Sequence, residues 1–304
     1  MFIEDVFSGA VRYGSSVIFA TQGEVISERA GVINLGMEGS MLCGALAAFA
    51  TASATGSAVL GIFAGVAAGA VLAALHAFLV LWRGANQLAS GLAISFLGLG
   101  LTAALGVSFV SKQITGLGAI EIPVLSDIPI IGPGLFAQDI LTYLALILPF
   151  ILVFLLARTR WGLVLRATGE RPEVARAYGY DPRRVRAVAT TIGGALGGLG
   201  GSQLVLAYTL NWVENVTVGR GFVAVALVIF GAWKPVQAAI GGLVFGAALS
   251  LQLQLQARGV DVSIWLLQMT PYVLTLLVLT ITSRRQSQQI PEGLKAVFGG
   301  GKAA

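Results

Sequence analysis

Residues 39 to 82 contain no formally charged side chain. An arginine, lysine or aspartate at the centre of a membrane helix costs roughly 2.5–3.5 kcal/mol on insertion scales. A long charge-free run is therefore what a bilayer selects for, and a water-soluble domain has no use for one. Crossing an apolar layer about 30 Å thick takes ~20 helical residues. This run is long enough for two crossings, and Thr55-Gly56-Ser57 divides it. Further uncharged runs cover 84–111, 140–157, 187–213, 235–257 and 262–283. Two weaker spans are 8–27, which includes Arg12 and Glu24, and 216–233, which includes Arg220. The expectation is an all-α, polytopic bundle of about nine spans, eight to ten if a weak one turns back. Re-entrant or broken segments are expected near 30–40 and 210–225. Charged residues make up 11% of the chain, against about 25% in an ordinary soluble domain. The whole of 1–304 reads as one transmembrane domain.

Orientation follows from basic residues, which collect on the cytoplasmic side. The 158–186 loop holds eight arginines against Glu170, Glu173 and Asp181, a net +5 that equals the net charge of the whole chain. This loop is placed in the cytoplasm, as is the 284–304 tail with Arg284, Arg285, Lys295 and Lys302. Loop 112–139, where Glu121, Asp127 and Asp139 outnumber Lys112, is placed outside together with the acidic N-terminus. The high pI, near 9.7, thus reports topology, and no nucleic-acid partner is expected.

Many of the 40 glycines recur every fourth residue: Gly61, Gly65 and Gly69; Gly193, Gly197 and Gly201; Gly242 and Gly246. In lipid such faces let helix backbones approach closely, and they are read as packing surfaces. The sequence has no G-x-x-x-x-G-K-[ST], no H-E-x-x-H, no C-x-x-C and a single histidine. No enzyme, catalytic residue, metal site or cofactor of this chain's own is expected. Uphill transport would draw on another subunit or an ion gradient.

Within the cytoplasmic loop, Pro172 suits the first position of a helix and Glu173 complements its positive end. Gly179 is a left-handed stop, and Asp181-Pro182 caps the next helix. The 172–178 segment is too short to be stable alone and needs a surface to pack on. A protein groove fits its weak hydrophobicity better than anionic lipid does.

The run Gly23-Glu24-Val25-Ile26-Ser27-Glu28-Arg29-Ala30-Gly31-Val32-Ile33-Asn34-Leu35-Gly36-Met37-Glu38-Gly39 resembles G-E-x-x-x-E-R-x-G-V-x-N-x-G-x-E-G of bacterial ABC importer permeases. These are the permeases of the branched-chain amino acid, monosaccharide and nucleoside class, and the likeness is to the guanosine and purine nucleoside type. It extends through 167–171, 175–179, Gly219-Arg220-Gly221-Phe222 and Phe230-Gly231-Ala232-Trp233-Lys234-Pro235, over most of 15–282. Ser95 stands where the family pattern places Asn. The resemblance implies a multi-pass protein of the bacterial inner membrane that works by alternating access. It implies a separate ATPase subunit that binds the ATP, a second permease subunit in a heterodimer, and an extracytoplasmic substrate-binding lipoprotein. Arg171, Pro172, Glu173, Val174, Ala175, Arg176, Ala177, Tyr178 and Gly179 then form the coupling helix and its flanks. A nucleoside is the expected solute, with a sugar or a branched-chain amino acid as alternatives.

Asn34 and Glu38, one turn apart if helical, lie in a glycine-interrupted stretch at membrane depth. Irregular backbone there is tolerated only against protein or a cavity. Either they line the path or brace its inner gate, or Glu38 pairs with Arg29 or a partner cation. His76 reads as a packing residue. Candidates for the solute path are Asn86, Gln87, Ser90, Ser95, Phe96, Gln203, Tyr208, Asn211, Trp212, Asn215 and Phe222, which offer the rings and hydrogen bonds a nucleoside needs. A proton-coupled carrier would rely on Glu38 and His76, and a purely structural subunit would rely on neither.

Overall fold

The computed structural model describes residues 2–126, 128–129, 131–259, 263, 266, 269–270, 272–273, 277 and 290–298. Its helices are α1 (Phe2–Arg29), α2 (Met37–Thr55), α3 (Ala58–Leu81), α4 (Gln87–Gly106), α5 (Ile131–Leu135), α6 (Ile140–Arg158), α7 (Arg160–Glu170), α8 (Pro172–Ala177), α9 (Pro182–Gln203), α10 (Arg220–Phe230), α11 (Pro235–Ala257) and α12 (Glu292–Phe298). Strands β1 (Ile120–Glu121) and β2 (Ala137–Gln138) form a small antiparallel ladder. Helix α3, α4 with its following turn to Phe109, α6 and α11 are each long and apolar enough to cross a membrane. The expected span at 262–283 falls largely outside the described residues, as do Asp127, Arg284, Arg285 and Lys302.

Local chemistry sets the boundaries. Gly56, at φ 70°, closes α2, and Ser57 then accepts from the Leu60 amide at the start of α3. Asn86, Asp139, Thr159 and Asp181 each cap the helix that follows by accepting one or two of its first amides, satisfying donors that have no partner inside the helix. Phe63, Val71, Phe96 and Phe150 point outward, 64–68% exposed, as an apolar surface in lipid requires.

The two ends of the bundle are chemically distinct. At the basic end Arg186 Nε donates to the Ala30 carbonyl (3.1 Å) and its Nη2 to that of Thr168 (3.3 Å), while Arg29 Nε donates to Trp233 (2.9 Å). Helix α12 lies here too: the Glu292 amide donates to Glu170 on α7 (3.3 Å), and Leu294 is fully buried. At the opposite end Arg12 Nη2 donates to the Ala207 carbonyl (2.6 Å), and residues 110 and 113 pair with 212 and 211.

Residues 210–233 therefore run from the far end back to the basic end, and only part of that passage is helical. At about 1.5 Å per residue, the 11 residues of α10 cover roughly half of a 30 Å layer. The outer half is irregular chain, 210–219, which follows a six-residue π-helical turn, 204–209, at the end of α9. The expected broken segment near 210–225 is present in this form. A second interruption, residues 30–36, separates α1 from α2. Asn34 consequently precedes the helix that carries Glu38, so the two do not share a helical face.

The glycine faces are packing surfaces. A Cβ on Gly65 would meet the Gly44 carbonyl (2.8 Å), one on Gly201 would meet the Ala45 amide (2.8 Å), and one on Gly242 would meet Ile18 (2.8 Å).

Candidate functional site

The 158–186 region is a hook. Thr159 starts α7, a helix that the uncharged-run pattern does not reveal. Arg171 (φ −144°) turns the chain into α8, and Gly179 (φ 83°) ends it. The Tyr180 amide returns to the Ala175 carbonyl (3.0 Å). Ala175 is buried, whereas Val174 is 37% and Tyr178 80% exposed. Arg160, Val164 and Tyr180 line two adjoining clefts at the hook, and Arg171, Arg176, Arg183 and Arg184 are exposed around it. Ala175 thus anchors the hook from inside; the surface on offer is Tyr178, Val174 and the arginines.

The break at 30–36 is held by buried polar groups. The Asn34 amide donates to Glu24 Oε1 (2.6 Å), and Asn34 Oδ1 accepts from Gly36 (3.0 Å). Gln87 Oε1 accepts from Ile33 (2.9 Å), and Ser95 Oγ donates to Leu35 (2.7 Å). His76, fully buried, contacts Ser90 Oγ through Nδ1 (3.2 Å) and the Ile33 carbonyl through Nε2 (3.0 Å). It is a packing residue with both nitrogens engaged. Glu28 accepts from the Trp233 indole N–H across the bundle. Glu24 and Glu28, one turn apart on α1, are both fully buried. Glu28→Gln, which retains an acceptor for the indole N–H, is expected to keep the protein folded. Glu28→Ala strands the indole N–H and is expected to cost about 1–3 kcal/mol, read as a lower unfolding midpoint of detergent-purified protein.

Glu38 is not paired with Arg29. Its Oε1 accepts from Thr217 Oγ1 and the Gly219 amide (2.9 Å), and its Oε2 accepts from the Gly221 amide (2.6 Å). The reason is spatial: Arg29 lies at the basic end on Trp233, whereas Glu38 is next to Gly39, which packs on Ile94 and Ser95 midway along α4. The carboxylate closes the N-terminus of α10, where an anion is favoured, and fixes a strained stretch. Leu210, Asn215 and Val218 have φ of 55°, 54° and 48°, values a β-branched valine rarely takes. A Cβ on Gly221 would strike Glu38 itself.

The path candidates separate into groups. Asn86 is an exposed helix cap at the basic end, Gln87, Ser90 and Ser95 stitch the break, and Phe96 faces outward at 67% exposure. Trp212 is buried beneath Gly106, and Asn211 pairs with Gln113. Asn215 and Phe222 are exposed on the broken crossing. Gln203 Nε2 donates to the Arg12 carbonyl (3.2 Å), and Tyr208 packs edge-on to Tyr13 at 4.6 Å. Sequence reasoning did not select Arg12, Tyr13, Arg220 or Tyr272, which gather at this crossing. The signal available was a charge, Arg12 or Arg220, inside each weak span.

Comparison with known proteins identifies the family. The family described as branched-chain amino acid transport system / permease component matches residues 6–281. The putative glucose ABC transporter permease protein TsgC13 of Haloferax volcanii is 40% identical over 260 residues, 84% of this chain and 79% of its own. The guanosine ABC transporter permease protein NupQ of Bacillus subtilis is 34% identical over 88% of each chain. The nucleoside ABC transporter permease protein NupC of Lactococcus lactis is 33% identical over 92% of each. No solved structure matches. This multi-pass helical chain belongs to the permease-component family of ABC transporters.

Proposed function

We propose that this chain is one of two permease subunits in a nucleoside importer. Its α7–α8 hook is the point at which a separate ATPase drives alternating access. The carrying observation is the hook: a six-residue helix fixed from inside by Ala175 and presenting Tyr178 at 80% exposure beside exposed arginines. A docking helix must be rigid towards its own subunit and open towards the partner, and this one is both. Arg171, Pro172, Glu173, Val174, Arg176, Ala177 and Gly179 complete the contact. The partner permease is a different chain, and a substrate-binding lipoprotein delivers the solute from outside. Nine crossings are proposed, the ninth being 262–283. Asn34 and Glu38, both buried, brace the path, while Asn215 and Phe222 lie on its wall.

The test is co-purification with the ATPase. Tyr178→Asp is expected to lower recovery of the ATPase at least about tenfold, the scale of one lost hot-spot residue, while the permease elutes normally on size exclusion. Normal ATPase recovery would exclude the hook as the docking element. Ala175→Arg is unsuited to this purpose, since a buried alanine cannot take a guanidinium without opening the hook. A sugar is the second reading, supported by the 40% identity to the glucose permease relative. ATP hydrolysis stimulated by receptor loaded with guanosine, against receptor loaded with glucose, separates the two.

A further inference from the structure

The broken crossing carries charge where lipid does not allow it. Arg12 is exposed on α1 next to Tyr13, and Glu214 and Asn215 are exposed on the irregular segment. Arg220, the first residue of α10, is half-buried; its Nη1 has no contact with solvent and no hydrogen-bond acceptor. Ionisable groups at membrane depth face a water-filled cavity or a partner rather than acyl chains. Broken helices in transporters are where solute sites form, because freed backbone and polar groups line a cavity there.

The surroundings of Arg220 define what it would bind. Tyr13 and Tyr208 lie edge-on at 4.6 Å, and the Tyr272 hydroxyl donates to the Val218 carbonyl at 2.7 Å. All three tyrosines, together with Glu38, lie within electrostatic range of the guanidinium. Glu38 balances the charge at a distance but is not its acceptor: its oxygens accept from Thr217, Gly219 and Gly221, and Arg220 Nη1 has no partner. An anionic solute would therefore meet a cation already compensated, whereas a neutral solute with an acceptor would fill the vacant donor. The guanidinium fork matches two adjacent acceptors in one plane, such as the carbonyl and ring nitrogen along one edge of a 6-oxopurine. An adenine presents an amino donor in place of that carbonyl and would repel the fork. Sugar hydroxyls are bound best where a carboxylate is free to accept, and here the Glu38 carboxylate already accepts three hydrogen bonds from its own chain.

We propose that Arg220, framed by Tyr13, Tyr208 and Tyr272 at the interrupted crossing, is the permease's own solute-recognition group, reading the carbonyl edge of a flat oxopurine stacked against the tyrosine rings. The proposal rests on the nucleoside reading above and adds the residue and the base class.

The experiment measures uptake of labelled guanosine, adenosine and glucose by the complete transporter, with Arg220→Gln and Arg220→Lys beside the wild type and ATPase co-purification as the assembly control. Arg220→Gln is expected to retain the ATPase and to lose guanosine uptake at least about tenfold, the weight of one bidentate contact, with adenosine uptake changed far less. Arg220→Lys keeps the charge but not the fork, and is expected to lose the guanosine preference; it decides the question if the glutamine variant does not assemble. Wild-type guanosine preference in an assembled variant overturns the assignment of Arg220 and leaves the nucleoside reading standing. Wild-type uptake of glucose and of neither nucleoside overturns both.

Discussion

Glu38→Ala is expected to abolish transport and to lower the unfolding midpoint of the purified subunit more than Glu28→Ala does. The carboxylate receives the Thr217 hydroxyl and the amides of Gly219 and Gly221, at a site 3% exposed. Each buried donor left without an acceptor costs about 1–3 kcal/mol, so three of them together approach the 5–15 kcal/mol that stabilises a typical fold. The loss also releases the left-handed residues Asn215 and Val218, whose strained conformation persists only while the surroundings impose it. Glu38→Gln retains one acceptor oxygen but turns an amide N–H towards one of the donors, and is expected to fall between the two. Thermal unfolding followed by tryptophan fluorescence checks the order wild type, Gln, Ala; an alanine variant as stable as wild type would refute the clasp.

Gly198→Leu is expected to eliminate folded protein altogether. Gly198 sits where α2, α3 and α9 cross: a Cβ on Gly69 would fall 2.7 Å from its amide, one on Gly44 would strike its Cα, and its own would strike the Gly65 carbonyl. Overpacking costs typically 1–3 kcal/mol where side chains can yield, and here backbone meets backbone on two sides, which has no room to yield. Gly100→Ala is the control. Gly100 lies on the open side of α4 with nothing within 4 Å, and alanine is the better helix former by ~1 kcal/mol. Monodisperse yield in detergent should be near zero for the first and unchanged or improved for the second.

What was legible in the sequence was whatever depends on neighbours along the chain. Missing charges mark α2, α3, α4, α6, α9 and α11, because an inserted charge is expensive wherever it sits. Thr55-Gly56-Ser57, Pro172, Gly179 and Asp181 mark boundaries, because capping acts over three or four residues. Helix α7 escaped notice because its arginines fit a solvated loop as well as a surface helix. The partners of Glu38 and Glu28 escaped for a different reason: Gly221 and Trp233 are 183 and 205 positions away, and no local pattern encodes such a pairing. Asn86 has a local role as well: its side-chain Oδ1 accepts from the Leu88 and Ala89 amides, an ordinary helix start that its position before Gln87-Leu88 already implied.

Helix α10 is short and fastened at both extremities, to Glu38 at one and, through Trp233, to Glu28 and Arg29 at the other. It is a strut. The Arg29 carbonyl lies directly against Gly169 of α7, so α7 and the strut's foot are joined through a single residue, Arg29. Under the proposed coupling, a displacement of the hook would pass along the strut to the irregular chain beyond its head, which leads back to Tyr208.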